Sequence, residues 1–322
     1  SHFRGAAVMG AISALDEALY DIAGKFYGVP VYRLLGGKCR DKVRVYNHTA
    51  GRTEEELIEN AIKGKEEGFT ALGHLNPYLD EPRNQPFHDN NTQMLYNAER
   101  RIARVREAVG EDTDLCLELH RRLEPGLAVQ LSARLEPYAP MFLEDPIRPD
   151  NFDEMARVAQ QCQIPIATGE RINSLFEFEM LLERGACSYV RASIGVCGGF
   201  TGIKKIAALA EAHHKSLVPH NPLSPVTTNA LLQFCAATDN IAICEYPDPY
   251  AASTADHLTG SGSKLRQVDM VTQIPKFEKG YVEIPEGPGL GIDLISDVEE
   301  RFPFRPHAVG TRLNLDGSIC DQ

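Results

Sequence analysis

Five short apolar runs, each ending at a glutamate or a histidine, set the period of this 322-residue chain. They occupy 115–120, 141–146, 164–170, 217–220 and 241–245. Glu118, Glu144 and Glu170 stand 26 residues apart, and His220 follows Glu170 by 50 residues, which leaves room for one more unit ending near Arg191. Glu245 comes 25 residues after His220. A strand, a helix and two turns take up about that length, and strands alternating with helices at this interval form a parallel sheet. The runs are continuously apolar, as parallel strands covered on both faces are. The spacing therefore predicts an α/β chain folded as a (β/α) barrel, in which polar residues at the C-terminal strand ends face one shared site.

Glu118, Glu144 and Glu170 then converge. Three carboxylates in one dry site repel each other and resist ionisation unless a cation joins them. An all-oxygen set suits Mg²⁺ better than zinc, which prefers imidazole and thiolate. The competing reading is three unrelated solvent-facing glutamates, and their common register at strand ends argues against it.

Residues 8–28 read as a helix, because Val8, Ile12, Leu15, Leu19 and Ile22 recur at helical spacing and Gly28 with Pro30 ends it. The first strand comes late, at 42–48. A barrel of this kind carries more chain before that helix, so an N-terminal part is expected to precede it. Helices are expected at 54–67, 94–109, 127–135, 152–162, 176–184, 203–213 and 229–237, and further strands at 69–76 and 188–192. The second strand ends in His74 and Asn76. The loop at 78–93 is the longest, and over a barrel mouth it is either a lid or a surface insertion. Strand alternation puts His120 on the same side as Glu118. Residues 1–40 read as the remnant of a capping region with its linker helix, 41–254 as the barrel, and 255–322 as a segment packing on cap or barrel.

The net charge of −12 argues against a nucleic-acid backbone as partner. The eight cysteines form no CxxC pair, and Cys116 and Cys244 fall inside expected core strands, as reduced thiols of a cytoplasmic enzyme do. No apolar run reaches membrane length, so no membrane partner is expected.

A cation held by three carboxylates and flanked by His120 and His220 suits removal of a proton next to a carboxylate, with the cation taking up the charge that builds there. A neutral histidine can take the proton, and an acidic partner can protonate a departing hydroxide. His120 and His220 come from different strands and can face opposite sides of a bound substrate.

With these residues the chain resembles the enolase superfamily. Glu118, Glu144-Asp145-Pro146 and Gly169-Glu170-Arg171 look like its three metal ligands, with Glu118 where Asp is usual. The helix containing Ala14-Leu15-Asp16-Glu17-Ala18-Leu19-Tyr20-Asp21-Ile22, followed by Leu34-Leu35-Gly36-Gly37, looks like the entry to that barrel. His120-Arg121-Arg122-Leu123-Glu124-Pro125 and Leu223-Ser224-Pro225-Val226 are similar to the mannonate branch of its acid-sugar dehydratases. So is Ser193, which stands where galactonate-like members have Asp. The Tyr and Arg that the mannonate branch draws from its long loop have only Tyr78 and Arg83 as counterparts. The resemblance implies a (β/α)₇β TIM-like barrel with a capping α+β domain, and Mg²⁺ on Glu118, Glu144 and Glu170. It implies His120 as acid or base, His220 and Arg191 at the substrate or its leaving hydroxyl, and Glu245 at the carboxylate end, with His74 and Asn76 nearby. The reaction implied is loss of water from a small sugar acid to give a 2-keto-3-deoxy acid, in an even-numbered homo-oligomer. A racemase or epimerase using the same first step, and a catalytically weak barrel with a binding or regulatory role, are the alternatives.

Overall fold

Eight parallel strands close into a ring in the computed structural model, which describes residues 5–79, 90–222, 224–247, 266–303, 312–314 and 316–320. Arg83, Leu223 and most of the 78–93 loop lie outside the described residues. The strands are β1 (Lys42–His48), β2 (Ala71–Leu75), β3 (Asp114–Glu118), β4 (Phe142–Glu144), β5 (Ile166–Thr168), β6 (Tyr189–Val190), β7 (Ser216–Leu217) and β8 (Cys244–Glu245). Each of β1 to β6 pairs with its successor, and β8 pairs with β1. The ring closes where Ile241, just before β8, bridges Leu217 of β7. Seven helices fill the connections: α3 (Glu54–Glu66), α4 (Asn91–Val109), α5 (Pro125–Leu135), α6 (Phe152–Gln161), α7 (Leu175–Glu183), α8 (Gly199–Ala212) and α9 (Pro225–Ala236). The order among the described residues is therefore (β/α)₇β, preceded by α1 (Ala6–Tyr27) and α2 (Val31–Leu34).

Local chemistry sets the helix starts. Thr53, Asn151 and Ser174 accept backbone hydrogen bonds as N-caps, and Asn90 with Gln93 forms a capping box. α5, α8 and α9 begin two to four residues earlier than apolar periodicity alone gives, because Pro125 and Pro225 occupy first-turn positions and Gly198 supplies the left-handed entry to α8.

The barrel interior is one apolar layer of Tyr46, Ala71, Cys116, Phe142, Ala167, Val218 and Ile243, with Tyr189 packed against it. A second cluster, between strands and helices, holds residues such as Leu57, Ile102, Leu131, Phe178 and Phe234. This is the two-zone core of a barrel whose strands are covered on both sides.

α1 turns its apolar stripe outward: Leu15 is 67% exposed and Phe26 81%. Its polar side faces the barrel instead. Ser13 and Asp16 accept from Gly198 N and Thr201 N at the start of α8, and Asp21 accepts from Leu290 N. Gly24 lies against Gly289, where an added Cβ would clash with backbone.

The segment after the barrel forms a hairpin of β9 (Phe277–Glu278) and β10 (Tyr281–Glu283). Lys279 and Gly280 turn it with positive φ, and β10 pairs antiparallel with Lys42–Arg44, at the end of β1 away from the glutamates. No helix among the described residues is long and apolar enough to cross a membrane.

Candidate active site

Two residues beyond each member of the interior apolar layer, the next inward position is polar or glycine. The steps are Tyr46 to His48, Ala71 to Gly73, Cys116 to Glu118, Phe142 to Glu144, Ala167 to Gly169, Tyr189 to Arg191, Val218 to His220 and Ile243 to Glu245. Period-two alternation delivers these side chains to one level at the C-terminal mouth. Glu118 lies opposite Glu144 in the β3–β4 register. Gly169, at φ 138°, turns the chain after β5 so that Glu170, one residue later, reaches the same place.

Potential ligand oxygens of Glu118, Glu144 and Glu170 lie within 4.8 Å of one another, and all three residues are buried. Burial, then the neighbouring charges of Glu144 and Glu170, push the Glu118 carboxyl well above its ordinary range. Glu144 is raised to about 7, mainly by burial, with Arg191 opposing. Burial also acts to raise Glu170, but the hydrogen bond and charge of His220, then Arg121 and Arg171, hold it below the usual range. Three converging carboxylates, two of them resisting ionisation, fit a hard divalent cation, which would satisfy the oxygens and remove the repulsion.

Each of the two candidate histidines lies beside one member of this cluster, His220 at Glu170 and His120 at Glu118. His220 Nε2 is 3.0 Å from Glu170 Oε2, and its buried Nδ1 has no hydrogen-bond partner among the described residues. His120 follows β3 at φ 49°, and its backbone N–H donates to Glu118 Oε1 at 2.7 Å. Burial, then Arg121, pushes the His120 imidazole down to about 4.

Arg191 and Glu245, expected at the substrate, are hydrogen-bonded to each other and to neighbouring strands. Arg191 is 1% exposed. It donates to Glu144 Oε1 at 2.6 Å, Glu245 Oε2 at 2.8 Å, the Tyr46 hydroxyl oxygen at 2.7 Å and the Val218 carbonyl at 3.1 Å. Glu245 also accepts from Asn221 N at 2.7 Å, and its other oxygen lies 2.7 Å from His48 Nε2. The pair is thus buried beside Glu144 and bound to it through Arg191. Asn76 is likewise turned to its own loop, accepting from Tyr78 N at 2.8 Å. His74 does reach the mouth, where its ring stacks on His48 at 4.8 Å and meets His120 edge-on at 5.2 Å.

Two further residues belong to the site, and one of them carries a signal in the strand alternation. His48 ends β1 as His220 ends β7, two positions beyond an interior residue. Arg121, buried, donates to Glu170 Oε1 at 2.7 Å and to Asp145 Oδ2 at 3.4 Å. Asp145 in turn accepts from Thr168 Oγ1 at 2.5 Å. Arg121 thereby ties the ends of β3, β4 and β5 together, a role that an arginine in a polar loop does not announce.

The profile described as Enolase C-terminal domain-like matches residues 83–298, and that described as Mandelate racemase / muconate lactonizing enzyme, N-terminal domain, matches 3–36. The chain is 35% identical over 295 residues to a D-galactonate dehydratase from Ralstonia pickettii, covering 91% of this chain and 73% of that protein. It is 32% identical over 340 residues to a D-mannonate dehydratase from Caulobacter vibrioides, covering 99% and 81%. A crystal structure of an enolase from Agrobacterium radiobacter, with Na and L-malate bound, superposes with a TM-score of 0.86 at 30% identity, covering 99% of this chain and 80% of that one.

Proposed function

The chain belongs to the enolase superfamily, and on that premise we propose that it is a Mg²⁺-dependent dehydratase of a sugar acid, mannonate- or galactonate-like. The observation that carries the reading is the convergence of Glu118, Glu144 and Glu170, with His120 beside Glu118 and His220 beside Glu170. Mg²⁺ on the three carboxylates would hold the substrate carboxylate and take up the charge released when the neighbouring C–H bond breaks. His120 takes that proton: burial first, then Arg121, keeps its imidazole neutral and so available to accept one. His220, facing Glu170 and Glu245, gives a proton to the departing hydroxyl. Arg191 and Glu245 act as positioning residues: they hold Glu144 and, through His48, the rim. The division into 1–40, 41–254 and 255–322, an even-numbered homo-oligomer and a cytoplasmic setting belong to the same reading.

Incubation with Mg²⁺ and a panel of hexonates and pentonates tests it, with products followed by NMR in D₂O. A 2-keto-3-deoxy acid is expected from at least one substrate. Two imidazoles brought in by different strands favour a second reading, racemisation or epimerisation, which deuterium exchange without loss of water would establish. Absence of both across the panel would leave a binding or regulatory barrel.

A further inference from the structure

Glu118 belongs to two sets of converging ligand atoms. One is the all-carboxylate set with Glu144 and Glu170. The other is His74, Glu118 and His120, whose candidate ligand atoms also lie within 4.8 Å of one another. We propose that this second set is a separate, nitrogen-rich cation site that takes a transition-metal ion of the zinc class, bridged to the carboxylate site by Glu118.

Three observations support it. Neither the His74 nor the His120 ring makes a hydrogen bond among the described residues, so their nitrogen lone pairs are uncommitted there. Both residues sit in the left-handed region, at φ 48° and 49°, which non-glycine residues enter rarely and mostly where function requires it. The His74 ring is also held in place: His48 stacks on it, and Glu245 fixes His48 through its Nε2. Imidazole with one carboxylate is the donor set that zinc, cobalt and nickel favour, whereas Mg²⁺ prefers oxygen alone. The two sites therefore sort ions by ligand chemistry, and one carboxylate with two oxygens can serve both. Occupation of the second site takes the His120 imidazole as a ligand. A transition-metal ion there would inhibit rather than support turnover; that consequence rests on the function proposed above, while the site itself does not.

The test uses the full chain, stripped by chelator and resaturated with Mg²⁺, then dialysed against Co²⁺ as probe. Metal content and visible absorption are read together. One Co²⁺ per chain is expected alongside retained Mg²⁺, with the intense absorption of nitrogen-ligated cobalt of low coordination number. His74→Asn keeps a residue that tolerates the left-handed backbone, and it should weaken Co²⁺ binding by at least about tenfold, the loss that follows even removal of a supporting group around a metal. Its circular dichroism and Mg²⁺ affinity by calorimetry should be unchanged. His120→Asn should weaken Co²⁺ in the same way. One-for-one displacement of Mg²⁺ by Co²⁺, or wild-type Co²⁺ affinity in folded His74→Asn, would overturn the proposal.

Discussion

The Arg191 guanidinium donates from Nε to a carboxylate oxygen of Glu144 at 2.6 Å, and both side chains are buried. Its other end reaches Glu245 at 2.8 Å, so one cation is shared between a candidate metal ligand and a second buried carboxylate. Breaking such a buried network leaves carboxylates without a partner and costs about 3–5 kcal/mol. Arg191→Met should lower the urea-unfolding free energy by that amount. Arg191→Lys should recover only part, since a single ammonium cannot reproduce the fork that meets Glu144 and Glu245 together. Stability within about 0.5 kcal/mol of wild type for the methionine variant would contradict the assigned role.

Glu144→Ala removes the central carboxylate of the three. Divalent-ion binding should disappear from the calorimetric titration, because Mg²⁺ tolerates neither a missing ligand nor a distorted octahedron well. Unchanged Mg²⁺ affinity would mean that the cluster is not the cation site.

His120→Asn should lower turnover by about 10²–10⁴-fold, the usual contribution of a positioned acid or base, while Mg²⁺ still binds. Turnover within a factor of a few of wild type, with a substrate identified as above, would remove His120 from the chemistry.

Glu17 is 8% exposed on the inward face of α1, and burial, then the neighbouring Asp16, raises it from 4.5 to about 7. A raised carboxyl favours the neutral form in the folded chain. Its contribution is complete below pH 4.5 and is lost as pH climbs through 7, to an extent of about 3 kcal/mol. Glu17→Gln should therefore be more stable than wild type at pH 8 and should flatten the pH profile between 5 and 8. Parallel urea-midpoint profiles for the two proteins would show that Glu17 does not titrate in this window.

Gly73 lies where an added Cβ would fall within the Tyr46 ring. Tyr46 accepts from Arg191, so displacing its ring also disturbs the group that neutralises Glu144. Gly73→Ala should destabilise by about 1–3 kcal/mol and weaken Mg²⁺ binding together. Loss of stability with full metal affinity would show that the Tyr46–Arg191 link is not transmitted.

Strand alternation is local, and for that reason much of the mouth was legible in the chain. An apolar residue that must point into the barrel obliges the residue two positions later to point the same way, so Glu118, Glu144 and His220 could be assigned without coordinates. Helix existence was equally legible. The side that each helix buries was not: on α1 the regular apolar stripe is exposed, while Ser13, Asp16 and Asp21 bind backbone amides of α8 and the tail. Tertiary structure also decided the fate of Arg191, whose partners Tyr46, Glu144 and Glu245 come from three strands that meet it only once the ring closes. It decided the meeting of His48, His74 and His120 as well, since that depends on left-handed turns at the strand ends. The sequence by itself determined which residues face inward, because that follows from the two-residue repeat of a strand. Which of them are spent on one another, and which remain free to meet a ligand, follows from distances across the barrel that no local repeat encodes.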